Sequence, residues 1–151
     1  MKIPRLKSPS LCLWIARLLI GVVFALNVQC ALAFLIAPSA FAPGFELSSA
    51  VGDGAISDGM VRGLGILFLM WNVPYAVALS DPVRRSVSLW EACGMQVIGL
   101  TGETFLLLTF PAGHPAVRET VVRFILFDGL GLVALGAALW ITLQVRRAVL
   151  A

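Results

Sequence analysis

Four long blocks of apolar residues restrict the folds open to this chain of 151 residues. The blocks cover about residues 11–37, 60–79, 87–110 and 121–143, and each can cross a hydrocarbon core of roughly 30 Å as a helix. Apolar residues make up 60% of the chain and charged residues 13%, whereas a soluble domain has roughly 45–50% and roughly 25%. The sequence therefore predicts an all-α fold: a single membrane domain over residues 1–151, with four transmembrane helices in one bundle.

The first block follows a basic start, which is also how a secretory signal peptide begins. Lys2, Arg5 and Lys7 precede it, and Ala31-Leu32-Ala33 imitates a cleavage site. The apolar stretch is nevertheless about 27 residues long, whereas a signal-peptide core has roughly 7 to 15. We therefore expect a retained first helix.

The segment 38–59 differs in composition from the blocks on either side of it. It is rich in Pro, Gly and Ser and holds three acids, which are Glu46, Asp53 and Asp58. Such a composition breaks helix and favours a solvated loop. Its larger apolar side chains are expected to rest on the membrane surface; these are Phe41, Phe45 and Leu47.

The distribution of basic residues predicts the orientation. They gather at the N-terminus, in the loop holding Arg84 and Arg85, and at the C-terminus. The positive-inside rule then places both termini in the cytoplasm, with the outer loop 38–59 and the short loop of His114 on the other side. We expect a multi-pass protein of a bacterial inner membrane. Because the charges follow the helix ends instead of forming one patch, no nucleic-acid partner is expected.

Ionisable groups inside the blocks are the candidate site residues, because burying them in a membrane is costly unless they are paired. At ~1.5 Å of rise per residue, Glu103 and Asp128 lie about 10 and 12 Å below the outer surface, with Arg62 and Arg123 closer to it. We expect direct or water-bridged contacts between these acids and bases. A smaller group, on the inner side, consists of Arg17, Asn72 and Glu91.

The angular position of each residue around its helix axis tests which of these side chains can share one face. At about 100° per residue, one polar and small-residue arc of the third helix holds Glu91, Met95, Gly99, Gly102 and Glu103. Pro74 is expected to kink the second helix just after Asn72. In the first helix, Asn27 and Gln29 point about 200° apart, so they cannot both face one partner.

Two interpretations of the charged groups remain open. They can be interhelical pairs and helix ends that fix the packing of the bundle. They can also form the polar wall of a cavity for an amphipathic small molecule, with Glu103 or Asp128 exchanging a proton. We assign no catalytic residue and no metal site, because His114 is the single histidine and Cys12, Cys30 and Cys93 form no paired motif.

Several features also resemble a known family. Arg17 and Gly21 lie in the first block, Pro38 marks its exit, and Arg62-Gly63-Leu64-Gly65 opens the second block. With the four-block layout, these features resemble the small four-helix membrane proteins of the DoxX-like group over residues 15–110. Some members of that group are associated with quinone-linked or sulfur-compound redox complexes. The resemblance thus implies a quinone-facing accessory role, and it transfers no catalytic residue.

The function expected from the sequence is non-enzymatic: an accessory subunit of a membrane complex, or a small bundle that contacts a lipophile or quinone. One alternative is a membrane-embedded enzyme acting on a lipid or quinone, with Glu103 and Asp128 as acid and base. A second is an oligomeric channel or transporter. The expected partners are the lipid bilayer and other membrane subunits or further copies of the chain. No cofactor is predicted, although a lipid or quinone can be bound.

Overall fold

The computed structural model describes residues 9–47 and 54–150, which are helical almost throughout, with no strand in these two ranges. The basic residues Lys2, Arg5 and Lys7 and the acid Asp53 lie outside the described residues. The helices are α1 (Pro9–Ile36), α2 (Pro38–Phe41), α3 (Gly54–Trp71), α4 (Val73–Ser80), α5 (Ser86–Thr109) and α6 (Pro115–Leu150), with a 3₁₀ turn at Ala42–Phe45.

Four helical segments are long and apolar enough to cross a membrane: α1, α3 with α4, α5, and α6. Most of their large apolar side chains are exposed, among them Trp14, Leu18, Leu108, Leu130 and Trp140. Such a surface is unfavourable in water and is the ordinary surface of a helix that faces lipid. The all-α prediction is confirmed, and the four spans are those of a multi-pass membrane protein.

Two of the four spans extend further than the apolar blocks predicted, whereas α1 and α5 match theirs closely. The second span begins at Gly54 instead of residue 60, so the outer loop is shorter than 38–59. The fourth helix, predicted at 121–143, covers Pro115–Leu150. Its 36 residues reach about 54 Å, which exceeds the hydrocarbon thickness, so both ends project beyond an apolar core. Hydropathy marks only the part of a helix that lies in that core.

The four spans form a ring in which α6 packs between α5 and α1. α1 in turn packs against α3 and α4, and α4 closes the ring against α5. We call the half of the bundle that carries residues 38–47 the capped half. The other half, which carries the turn at residues 81–85, is the basal half.

The second span is broken between the two halves, as Pro74 predicted. The Asn72 peptide N–H bonds to Leu69 O at 3.1 Å instead of continuing the regular ladder. The side chain of Asn72 then donates through Nδ2 to the freed carbonyl of Phe68 at 2.6 Å. Proline lacks the N–H that a continuous helix needs at this point. α3 and α4 can therefore follow different directions.

Residues 38–47, which we call the cap, lie across the end of the capped half. Phe41, Phe45 and Leu47 pack there with Phe34 and Val61. The rings of Phe34 and Phe41 meet edge to face, with 4.8 Å between centroids. These side chains, which were expected from the sequence to rest on the membrane surface, cover the end of the bundle core.

Candidate functional site

A cavity of about 750 Å³ lies inside the capped half and reaches the break at Asn72. Every span contributes to its wall. Most of the wall is apolar and aromatic, with Phe34, Phe68, Phe124 and Phe127 among the lining residues. Small-molecule sites in proteins have volumes of roughly 300–1,000 Å³ and mainly apolar walls with a few polar groups. The cavity meets both conditions.

The polar groups of the wall come from all four spans. They are Asn27 on α1, Asn72 at the break, Tyr75 on α4, Gln96 and Glu103 on α5, and Arg123 and Asp128 on α6. Three of these side chains are almost entirely buried: Asn72 at 4% exposure, Tyr75 at 3% and Gln96 at 2%. Asn72 Oδ1, Gln96 Nε2 and Glu103 Oε2 have no hydrogen-bond partner among the described residues. Buried polar groups without a partner are costly and call for an explanation.

Two glycines allow polar side chains to lie between α5 and α6. Asp128 of α6 packs directly against Gly99 of α5, where a Cβ would collide with its carboxylate. In the reverse direction, a Cβ on Gly131 of α6 would lie 2.5 Å from Gln96 Nε2 of α5. On each helix, a glycine lies three residues after the polar side chain. Because α5 and α6 run antiparallel, the polar side chain of each helix packs against the glycine of the other.

The expected direct ion pairs between the acids and bases of this half are not formed among the described residues. Within residues 9–47 and 54–150, the three ion pairs are Arg84 with Asp81, His114 with Glu46, and Arg123 with Glu119. Arg123 bonds one turn back along α6 to Glu119, at 2.5 Å, a favoured spacing on a helix surface. Arg62 is exposed and does not line the cavity. Glu103 and Asp128 therefore face the cavity without a basic partner within 4 Å in the described part of the chain.

The smaller group predicted on the inner side does not assemble either. Arg17 donates to the carbonyl of Ser80, at the end of α4, at 3.2 Å. Asn72 faces the cavity of the capped half, and Glu91 is exposed near the start of α5. Rise along a helix gives depth but does not give the rotation of one helix against its neighbours, so residues of equal depth need not meet.

The predicted arc of α5 is confirmed for four of its five residues: Met95, Gly99, Gly102 and Glu103 line the cavity. Glu91, the fifth, does not. Gln96 was missed although it lies seven residues before Glu103, which places it in phase with that residue. On α1, Asn27 lines the cavity and Gln29 is exposed. The prediction that they cannot share a partner is confirmed.

The cavity wall reaches the outer surface of the bundle between α3 and α5. These two helices make few contacts with each other, since α3 packs against α1 while α4 packs against α5. Trp71 of α3 and Ile98 and Leu106 of α5 line the cavity and are also exposed. We call this place the gap between α3 and α5.

The cap closes the end of the cavity and is attached to the start of α6. Glu46 accepts a hydrogen bond from the Ala116 N–H at 3.2 Å and lies 2.6 Å from His114 Nδ1. Thr120 Oγ1 donates to the carbonyl of Gly44 at 2.8 Å. The hydrogen bond with His114 holds the pKa of Glu46 below its ordinary value, and the peptide N–H groups at the helix start act in the same direction.

The arrangement is suited to holding an amphipathic molecule. Its polar groups surround an apolar volume. Carboxyl and carboxamide groups can hold a headgroup by hydrogen bonds, while the aromatic wall holds a tail. Comparison with known proteins adds no further indication, because no known family, curated protein or solved structure matches the chain.

Proposed function

We propose that this chain is a non-enzymatic membrane protein that binds an amphipathic lipophile in the cavity of its capped half. One observation carries the proposal: the cavity of about 750 Å³ has an apolar wall into which the unpartnered groups of Asn72, Gln96 and Glu103 are set. A headgroup with donors and acceptors would satisfy these atoms, and a tail would fill the aromatic part.

The gap between α3 and α5 supports the proposal that the ligand is dissolved in the bilayer. The exposed side chains at this gap are apolar: Trp71, Ile98 and Leu106. A hydrocarbon tail can pass between them without leaving an apolar surrounding. The water-facing end is covered by the cap, which is attached at Glu46 and Gly44. Quinones are among the lipophiles worth testing, because the DoxX-like resemblance implies one.

Two glycines of α5 offer a matched pair of variants. A Cβ on Gly102 or on Gly94 would meet no atom within 4 Å. Gly102 lines the cavity and Gly94 does not. Gly102→Phe therefore places a ring at the cavity, whereas Gly94→Phe places the same ring on the lipid-facing side of the same helix.

The test is native mass spectrometry of the chain released from lipid nanodiscs, followed by extraction and identification of retained molecules. We expect the wild-type chain and Gly94→Phe to retain a lipophile, and Gly102→Phe to lose it with an unchanged melting temperature. Equal retention in both variants would place the ligand elsewhere. Retention of another protein subunit in place of a lipophile would favour the accessory-subunit alternative.

We further propose that both chain termini lie in the cytoplasm, because basic residues gather at the basal end of the bundle and near the termini. Single cysteines at Gly113 and at Arg85, introduced into a chain without its native cysteines, test this. A membrane-impermeant maleimide should label position 113 from outside intact cells and position 85 only after lysis. The reverse pattern would overturn the orientation and leave the cavity proposal intact.

A further inference from the structure

We propose that the cavity selects an amphiphile whose headgroup is a protonated primary amine. This inference rests on the proposed function and names the chemical class of its ligand.

The charges around the cavity favour a cation. Glu103 and Asp128 both line it, and neither has a basic partner within 4 Å in the ranges 9–47 and 54–150. Arg123 also lines the cavity, but its side chain is 74% exposed and is paired with Glu119. Its charge is therefore already balanced at the rim. An ammonium headgroup would supply the counter-charge that carboxylates inside a membrane bundle require.

The unpartnered atoms favour a headgroup that donates hydrogen bonds. Of the three unpartnered atoms that the described residues place in the wall, Asn72 Oδ1 and Glu103 Oε2 are acceptors from different spans, whereas the third, Gln96 Nε2, is a donor that lies against a glycine of α6. The side chain of Asn72 is held in place because its Nδ2 already donates to Phe68 O at 2.6 Å. A primary ammonium carries three N–H donors. It therefore has one donor for each of these two acceptors and one for the Asp128 carboxylate, whereas a hydroxyl has a single hydrogen to donate.

The aromatic wall suits the tail of such an amphiphile. Phe34, Phe68 and Phe124 form one group of rings, with 5.7 Å between the centroids of Phe34 and Phe68 and 6.0 Å between those of Phe68 and Phe124. These rings offer an apolar surface to a hydrocarbon chain. An anionic headgroup would meet the carboxylates of Glu103 and Asp128 in the same wall. A neutral headgroup would leave both carboxylates without a counter-charge.

The experiment compares three amphiphiles that share one tail: dodecylammonium, dodecanol and dodecanoate. Their dissociation constants are measured by titration calorimetry with the chain in phosphatidylcholine nanodiscs, and the signal of empty nanodiscs is subtracted. We expect dodecylammonium to bind about tenfold or more tightly than dodecanol, as a charge-assisted hydrogen bond implies. Dodecanoate should bind most weakly.

Matched variants assign the preference to its residues. Glu103→Gln and Asp128→Asn keep the size of the side chain and remove its charge, and each should reduce or abolish the preference for the amine. Glu91→Gln makes the same change on the exposed surface of α5 and should keep the preference. If a variant fails to fold, the comparison of the three probes on the wild-type chain still tests the inference.

Two kinds of outcome would contradict the inference, and they differ in whether the proposed lipophile site remains. Dodecanol binding as tightly as dodecylammonium, or a preference unaffected by both cavity variants, would overturn the amine headgroup while a lipophile site remains. Failure of all three probes to bind, together with no retained lipophile in the mass-spectrometry test, would overturn the proposed function itself.

Discussion

The basal and capped halves of the bundle are packed in opposite ways. The buried positions of the basal half are mostly small or aliphatic, and they include Ala16, Ile20, Ala78, Leu89, Ala92, Leu135 and Ala138. In the capped half, the core consists of Phe34, Ala42 and Val61, surrounded by further aromatic side chains. Small residues let helix backbones approach closely. Large rings and polar side chains hold the helices apart, and the cavity lies between them.

One bundle can thus have close packing, which gives stability, at one end and the cavity proposed for binding at the other. The basal half holds the four spans together through continuous packing. The capped half can therefore keep unpartnered polar atoms and an open side. The break at Asn72 and Pro74 makes this possible, because it lets α4 close against α5 while α3 stays apart from α5.

The largest effect on stability is expected from a substitution in the basal half. Leu135 is completely buried in its core, so Leu135→Ala should lower the free energy of unfolding by about 2–5 kcal/mol, since it removes packing and leaves a cavity. Leu64 is half-buried and lines the existing cavity. Leu64→Ala should cost clearly less, because space is already present beside it. Unfolding of both variants is followed in detergent micelles. Equal losses would contradict the proposed difference in packing.

A smaller effect on stability is expected at the contact between α5 and α6. In Gly131→Ala, the new methyl group would collide with the side chain of Gln96, and we expect a loss of about 1–3 kcal/mol from overpacking. Gly136→Ala on the same helix meets no atom within 4 Å and should be neutral or slightly stabilising. The double variant Gly131→Ala with Gln96→Ala should recover much of the loss in melting temperature. Without that recovery, the glycine would matter for a reason other than Gln96.

The sequence predicts much of the fold and part of the site. Hydropathy places the four spans, since a helix that faces lipid must be apolar, and Pro74 marks the break. The start of α6 at Pro115 lies beyond the apolar block. It depends on proline at the first helical position and on Glu46, a residue distant in the chain. Composition alone carries no sign of that contact.

The site was predicted less completely, for a geometric reason. Periodicity gives the face of a single helix, so Glu103 could be placed on the polar face of its helix, while Asp128 was a candidate as a charge inside an apolar block. The rotation between helices is decided by packing, and here Gly99 and Gly131 set it by receiving Asp128 and Gln96. Arg62 lies outside the cavity, and Arg123, which lines it, pairs with Glu119 instead of with the acids.

The smallest effect concerns the attachment of the cap. The folded-state pKa of Glu46 lies below its ordinary value of about 4.5, so its ionised form stabilises the fold above that pH, and this contribution is lost as the pH falls through the lowered pKa. We expect Glu46→Gln to melt slightly below the wild type at neutral pH. The difference should close below pH ~4.5. A gap that stays constant at low pH would mean that the charge of Glu46 does not hold the cap.

The most direct measurement uses two of the native cysteines, one in each half of the bundle. Cys30 is half-buried in the cavity wall of the capped half, and Cys93 is buried in the basal core. In a Cys12→Ser chain held in nanodiscs, a membrane-partitioning alkyl maleimide should label Cys30 and leave Cys93 unmodified, and Gly102→Phe should slow the labelling of Cys30. Labelling of Cys93 at the same rate as Cys30, or no labelling of Cys30, would contradict the account of an open capped half on a closed base.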